Sequence, residues 1–223
     1  MCVSNLVLNF IFSLLGHPQN TTDFGNWEAF AWDSESSPPR GYVTNDDFPD
    51  EEGLLPAFRG AIVRFTPDAT AESCLDAATD AEKWCAIESG THDFLKLIPA
   101  SDGASTGTFE WVTDVADANP ELYGGSEGAH VENGILTFSA VMERYLFRLN
   151  LSDMTYVRSA IPFAFEPDNL RILNGVVYLC TDGDHTPHDS VFGWDDKGAY
   201  RIFYEVSALQ RTVIQKCLLF AID

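Results

Sequence analysis

Basic residues are scarce in this chain, and their scarcity excludes one broad class of partner. The 223 residues contain 13 Lys plus Arg against 34 Asp plus Glu, a formal net charge of −21 at pH 7. Binding to a phosphate backbone needs cationic side chains that displace counterions. Neither nucleic acid nor an anionic membrane surface is therefore an expected partner. The excess of carboxylates suits a solvated surface or sites for hard cations such as Ca²⁺.

Motifs for nucleotide binding are also missing. The sequence has no P-loop and no GxGxxG between a strand and a helix, so a dinucleotide site is not expected. A serine hydrolase and a Cys–His nucleophile are likewise not expected. Five cysteines form no CxxC pair, which excludes a zinc ribbon and a thioredoxin motif.

Long apolar runs are absent apart from one near the N-terminus. Residues 6–15 are mostly apolar but too short to span a bilayer, and no Lys or Arg precedes them as it would in a typical signal peptide. We interpret residues 1–22 as a leader or weak signal-like segment. An apolar first strand or helix packed on the domain is the alternative.

Several features agree with export from the cytoplasm. Cys74 and Cys85 lie in an acidic, Ala-rich stretch, and a local disulfide between them is expected if the protein is exported. Asn20 and Asn150 begin glycosylation sequons. We therefore expect a secreted or extracytoplasmic protein with no membrane span.

Three segments repeat the same order of features. Each has a carboxylate, a short strand, a turn, a second β-rich strand, a polar loop and a third strand. Asn-Gly pairs at 133–134 and 174–175 favour type I′ hairpin turns. The anchors Glu127 and Asp168 lie 41 residues apart, which agrees with a propeller blade of roughly 40–50 residues.

The predicted fold class is all-β, with a β-propeller-like domain over residues 23–206 and a divergent tail over 207–223. About four blade-like units are visible, one of them an intervening unit with strands at 94–98 and 108–112. A generic β-sandwich is the alternative. Almost no helix is expected outside the first 20 residues and the tail. The predicted inner strands lie near 30–33, 134–139 and 176–181.

Carboxylates at one end of the inner strands of a propeller would converge near its axis. Ca²⁺ takes six to eight oxygen ligands from several segments, so convergence there predicts a cation site. The candidates are Glu28, Glu127, Asp168 and Asn169 at equivalent places in the three units, followed by Asp46 and Asp182 after the second strands.

Four short segments together resemble the PhoX-type alkaline phosphatase family. They are Trp-Glu-Ala-Phe-Ala (27–31), Ser-Glu-Gly (126–128), Glu-Pro-Asp-Asn-Leu (166–170) and Cys-Thr-Asp-Gly (180–183). The resemblance implies a six-bladed propeller that hydrolyses phosphate monoesters with a calcium and iron cluster in its channel. It also implies that Glu127 is a metal ligand and that Glu28, Asp168, Asn169 and Asp182 are further ones.

The chain departs from the family pattern at several places. Thr181 stands where the family has Glu, Asn45 replaces another Glu, and the cysteine loop that holds iron in the family has no counterpart. We therefore expect calcium rather than iron. Arg171 follows the Asp-Asn-Leu segment and is the candidate catalytic cation facing a phosphate; a surface Arg paired with a carboxylate is the alternative.

Three functions remain open from the sequence. The first is a PhoX-like metal-dependent phosphomonoesterase acting on a small phosphorylated substrate, or a degenerate member with weakened catalysis. The second is a calcium-dependent hydrolase of the gluconolactonase and senescence-marker type, which places an Asn, a Glu and an Asp around one Ca²⁺. The third is a non-catalytic binding propeller that has lost its metals.

Overall fold

The computed structural model describes residues 27–46, 60–69, 73, 89–142, 144–161, 167–181, 188–194 and 200–207. The predicted leader and nearly all of the predicted tail lie outside these ranges. So do the candidate ligand Asp182, the sequon at Asn20 and the predicted disulfide between Cys74 and Cys85.

Strands make up nearly all the regular structure of the described residues. Two single-turn 3₁₀ helices, Val115–Asp117 and Pro120–Leu122, interrupt them. The prediction of an all-β fold is confirmed. The strands are β1 (Trp27–Asp33), β2 (Arg40–Asn45), β3 (Val63–Pro67), β4 (Gly90–Pro99), β5 (Thr106–Val112), β6 (Ser126–Glu132), β7 (Ile135–Ala140), β8 (Tyr145–Asn150), β9 (Thr155–Ala160), β10 (Pro167–Leu173), β11 (Val176–Thr181), β12 (His188–Trp194) and β13 (Tyr200–Ser207).

These strands form two antiparallel sheets. One has nine strands in the order β1-β2-β3-β4-β5-β9-β8-β7-β6, and the other has the order β10-β11-β12-β13. We call β1–β4 the first meander, β6–β9 the second and β10–β13 the third. Strand β5 pairs with both β4 and β9, so it joins the outer strands of the first two meanders. The expected intervening unit is therefore not separate: its strands extend the first meander and connect it to the second.

The first strand of each meander lies where the meanders meet. The nine-stranded sheet curls so far that its edge strands β1 and β6 contact each other, and β6 also contacts β10. The predicted inner segment 30–33 belongs to β1, but 134–139 and 176–181 correspond to β7 and β11, one strand further out. The strands at the junctions are instead β6 and β10, the short first strands of their repeats.

The turns of the second and third meanders have the predicted conformation. Asn133 and Gly134 have φ of 51° and 71°, and Asn174 and Gly175 have φ of 51° and 77°. Positive φ at both central residues is the requirement of a type I′ turn, and its twist matches that of the flanking strands. The Asn-Gly prediction is confirmed.

A β-bulge recurs at the same place in the first strand of each meander. The register shifts between Trp27 and Phe30 in β1, between Ser126 and Ala129 in β6, and between Pro167 and Leu170 in β10. Two residues of each first strand therefore face one residue of the second strand. The bulged residues are 28–29, 127–128 and 168–169, so the three anchor carboxylates occupy equivalent positions.

Apolar side chains fill the spaces between the meanders. One buried cluster joins the first and second meanders and includes Tyr42, Leu95 and Phe138. The Phe138 ring stacks on Phe147 with centroids 4.8 Å apart. A smaller cluster joins Leu146 of the second meander to residues of the third, such as Leu179. Burial of this apolar surface holds the first strands in contact.

No helix within the described ranges combines the length and the apolar character that a membrane crossing requires.

Candidate metal centre

The bulges of β1 and β6 bring carboxylates together where these strands meet. Glu28 lies in the β1 bulge, Glu127 in the β6 bulge, and Asp46 directly follows β2. One carboxylate oxygen from each residue lies within 4.8 Å of the others. We call these residues the acidic triad. Oxygens bound to one Ca²⁺ at about 2.3–2.6 Å are at most about 5 Å apart, so the triad has the size of a site for one cation.

Burial differs across the acidic triad. Glu127 is 9% exposed, Asp46 is half-buried and Glu28 is the most exposed of the three. The site therefore has a closed side, formed by Glu127, and an open side towards solvent. A cation bound there could keep water or a substrate oxygen on the open side.

Among the described residues, the charged groups that most affect the pKa of Glu127 are carboxylates. Burial is the largest cause that raises the pKa of Glu127 well above its usual 4.5, and the charge of Asp46 and its hydrogen bond come next. The charges of Asp168 and Glu28 raise it further. Without a cation, a proton is therefore retained at Glu127 beside Asp46. A bound cation would replace that proton and relieve the repulsion among the carboxylates.

Asp168 and Asn169 lie beside the acidic triad and not within it. Asp168 is 5% exposed, and its Oδ1 accepts a hydrogen bond of 2.8 Å from Asn169 Nδ2. Its charge acts on Glu127, but its oxygens are not part of the group that converges within 4.8 Å. Of the four first candidates, the structure therefore brings Glu28 and Glu127 together, with Asp168 as a near neighbour.

Arg171, the candidate catalytic cation, affects the pKa of His130. It is an exposed residue of β10, three positions beyond Asp168. Burial first and the charge of Arg171 second lower the pKa of His130, which occupies the corresponding position in β6. The charged groups with the largest effects on Glu127 are all carboxylates. The charge of Arg171 therefore acts on His130, and both residues lie three positions beyond the anchor carboxylates of their strands.

One further motif in the sequence is typical of serine hydrolases. Gly-Gly-Ser-Glu-Gly at 124–128 has the spacing Gly-x-Ser-x-Gly, which in α/β-hydrolases places a nucleophilic Ser on an exposed strand-to-helix turn. Here Ser126 begins strand β6 and is 0% exposed. Its Oγ donates a hydrogen bond of 2.6 Å to the carbonyl oxygen of Tyr123. Ser126 is therefore buried and hydrogen-bonded within the fold and is not exposed as a nucleophile would be.

The remaining described candidate is the sequon at Asn150. Asn150 ends β8, and its Oδ1 accepts hydrogen bonds from Ser152 N at 3.0 Å and Ser152 Oγ at 2.7 Å. Its Nδ2 donates to Asp153 Oδ2 at 3.1 Å. The side chain is thus held in the turn between β8 and β9, and its glycosylation stays a prediction.

A comparison with known protein families finds none that matches the chain, and a comparison with curated proteins finds no relative.

Proposed function

We propose that the acidic triad binds one hard divalent cation, with calcium as the first choice, and that the bound cation serves hydrolysis of a small phosphate monoester. The observation that carries the proposal is the convergence of three carboxylate oxygens within 4.8 Å. They come from three separate strand ends in a chain with a net charge of −21.

The donor set of the triad suits calcium better than iron. All three ligands are carboxylate oxygens, which hard cations such as Ca²⁺ prefer, whereas thiolate and imidazole ligands favour softer metals. Three carboxylates fill only part of the six to eight positions that Ca²⁺ offers. The open side at Glu28 leaves room for water and for oxygens of a substrate.

The arrangement of the meanders supports a propeller-like interpretation of the fold. Three antiparallel meanders place their first strands side by side, as the inner strands of propeller blades are placed around a channel. The equivalent bulges in β1, β6 and β10 support the same interpretation. On this interpretation the acidic triad lies at one end of the channel.

Phosphate monoesters are the proposed substrates because four segments resemble those of PhoX-type phosphatases. A divalent cation at such a centre polarises the phosphoryl oxygens and lowers the pKa of a bound water. Glu127 and Asp46 would hold and orient the centre, and their shared proton would leave as the cation enters. Arg171 is the proposed cation for the outer phosphate oxygens, since it is exposed on β10 three positions beyond Asp168.

A lactonase-type hydrolase is the second candidate function. The acidic triad converges on one point, which suits a single Ca²⁺ and not a cluster of several metals. Asn169 also lies near, hydrogen-bonded to Asp168. An Asn, a Glu and an Asp around one Ca²⁺ are the ligands of the gluconolactonase type.

One experiment separates these functions. The purified chain is stripped with a chelator, reloaded with Ca²⁺, analysed for metal content, and assayed with p-nitrophenyl phosphate and with a sugar lactone. The matched control for Glu127→Gln is Glu110→Gln, which removes an exposed carboxylate paired with Lys96 at 3.0 Å. Phosphate release that needs Ca²⁺ and is lost only in Glu127→Gln supports the proposal.

The other outcomes each have a definite meaning. Lactone hydrolysis with the same dependence favours the second candidate. Stoichiometric Ca²⁺ binding without either activity excludes both hydrolase functions and favours a non-catalytic binding propeller. A chain that retains no Ca²⁺ overturns the proposed site.

A further inference from the structure

Thr44 occupies an unusual place between two of the proposed ligands. It lies in β2 opposite the β1 bulge, since Asn45 and Val43 on either side of it pair with Trp27 and Phe30. Its side chain is 1% exposed. Its Oγ1 accepts a hydrogen bond of 3.0 Å from the amide of Ala29 and donates one to the carbonyl oxygen of Glu127.

These two bonds attach the hydroxyl of Thr44 to the backbone at the proposed ligands. Ala29 directly follows Glu28, and the accepting carbonyl belongs to Glu127 itself. Asp46 stands two residues beyond Thr44 on the same chain segment. A hydroxyl supplies one donor and two acceptor sites, so a single buried group links the main chain near all three carboxylates.

The same contact recurs at the next junction. Ser139 lies in β7 opposite the β6 bulge, because its neighbours Ala140 and Phe138 pair with Ser126 and Ala129. Its Oγ donates a hydrogen bond of 3.2 Å to the carbonyl oxygen of Asp168, and the contact is buried. Each hydroxyl thus binds the carbonyl of the anchor carboxylate in the next meander. The equivalent residue of the third meander is Cys180, a buried thiol.

From this recurrence we propose that Thr44 is a positioning residue of the cation site, an inference that rests on the proposed function. Its hydroxyl fixes the β1 bulge against the β6 bulge, so that the oxygens of Glu28 and Glu127 reach one cation together with Asp46. Ser139 fixes Asp168 in the same way, but Asp168 is outside the acidic triad. The two hydroxyls therefore have the same structural role and different consequences for cation binding.

This difference makes Ser139 a matched control. Thr44→Val keeps the side-chain shape and removes the hydroxyl, whereas Thr44→Ser keeps the hydroxyl. Ca²⁺ affinity is measured by titration calorimetry on the full chain, and stability by urea denaturation in chelator. Loss of a group that orients metal ligands weakens metal binding by about 10- to 100-fold. We expect that loss in Thr44→Val, near-native affinity in Thr44→Ser, and near-native affinity in Ser139→Ala despite lowered stability.

The outcomes separate this inference from the proposed function. Native-like Ca²⁺ affinity in Thr44→Val, or an equal loss in Ser139→Ala, overturns the role of Thr44 alone. A wild-type chain that binds no Ca²⁺ overturns the proposed function. If Thr44→Val does not fold, Thr44→Cys copies the residue found at position 180, and a thiol is a weaker hydrogen-bond donor. Native-like affinity in Thr44→Cys together with lowered stability also overturns the inference.

Discussion

The two junctions between meanders share a backbone design but differ in chemistry. At the first junction β1 meets β6, and at the second β6 meets β10. Each has a bulge in both first strands and a buried hydroxyl that binds the next anchor. The first junction gathers the acidic triad. At the second, Asp168 is hydrogen-bonded to Asn169 and the backbones come into close contact.

The residue after the second strand accounts for much of this difference. Asp46 follows β2 at the first junction, and the strand registers place Val141 at the equivalent position after β7. Within the described ranges, a third carboxylate therefore joins the anchors at the first junction and not at the second. The repeat supplies two anchor carboxylates at each junction, and in the proposed site Asp46 adds the third carboxylate at the first junction.

The largest expected effect comes from making the first junction resemble the second. Asp46→Val removes one of three charged ligands and installs the residue found at position 141. We expect Ca²⁺ affinity to fall by about 100-fold or more, because each lost carboxylate removes both charge and a ligand oxygen. Titration calorimetry measures the loss, with Val141→Ala as a control that should bind normally. Retained affinity in Asp46→Val would show that the triad is not the site.

Because β6 and β10 lie in close contact at the second junction, a side chain added at Gly128 should lower the stability of the fold. A Cβ added to Gly128 would lie 2.2 Å from the main-chain nitrogen of Leu170, whereas at Gly41 it would meet the Phe30 ring edge at 2.8 Å. A ring can rotate away, but a strand backbone must shift. We expect Gly128→Ala to cost roughly 1–3 kcal/mol and Gly41→Ala less, as measured by urea denaturation. Equal costs would contradict the close packing of β6 on β10.

Most strands and the Asn-Gly turns could be predicted from the sequence, but β9 and β12 were missed, and the site was predicted only in part. The Asn-Gly pairs and the β-rich segments after them predicted β7 and β11, because such turns and strands depend on local sequence. β6 was missed as a junction strand. The equivalent places of Glu28 and Glu127 followed from the repeat, whereas the bulges that hold them did not. Asp46 joins these two residues because the nine-stranded sheet curls until β1 and β6 meet. Local sequence patterns do not predict the extent of that curl.

The pH dependence of stability tests the electrostatics of the first junction. The pKa of Glu127 is raised by burial and by neighbouring carboxylates, so the folded chain keeps a proton that the unfolded chain releases above about pH 4.5. The stability contributed by this proton is present below that pH and is lost as the pH rises towards the folded-state pKa.

Urea denaturation in chelator between pH 5 and pH 7 measures this contribution. Relative to Glu127→Gln, which cannot titrate, the free energy of unfolding of wild type should fall by up to about 1.4 kcal/mol per pH unit. Parallel pH profiles for the two proteins would mean that Glu127 ionises normally in the folded chain.

The smallest expected effect is at the second junction. Asp168→Asn removes a charge that acts on Glu127 but belongs to a residue outside the triad. A charge that is not a ligand contributes to binding only through Coulomb attraction, so we expect Ca²⁺ affinity to weaken by no more than about threefold. Titration calorimetry on Asp168→Asn and on Glu127→Gln checks this expectation. A loss of Ca²⁺ affinity in Asp168→Asn as large as that in Glu127→Gln would place Asp168 among the ligands.

The central claim is that the first junction is a one-cation site built around Glu127. Thermal melting in chelator, in Ca²⁺ and in iron, on wild type and on Glu127→Gln, tests it most directly. A cation that binds only the folded chain adds about 2.7 kcal/mol of stability at a hundredfold excess over Kd. We predict that Ca²⁺ raises the Tm of wild type progressively with concentration, that iron adds little, and that Glu127→Gln responds to neither. A wild-type Tm that Ca²⁺ leaves unmoved, or a Glu127→Gln variant that responds as fully as wild type, would contradict the account.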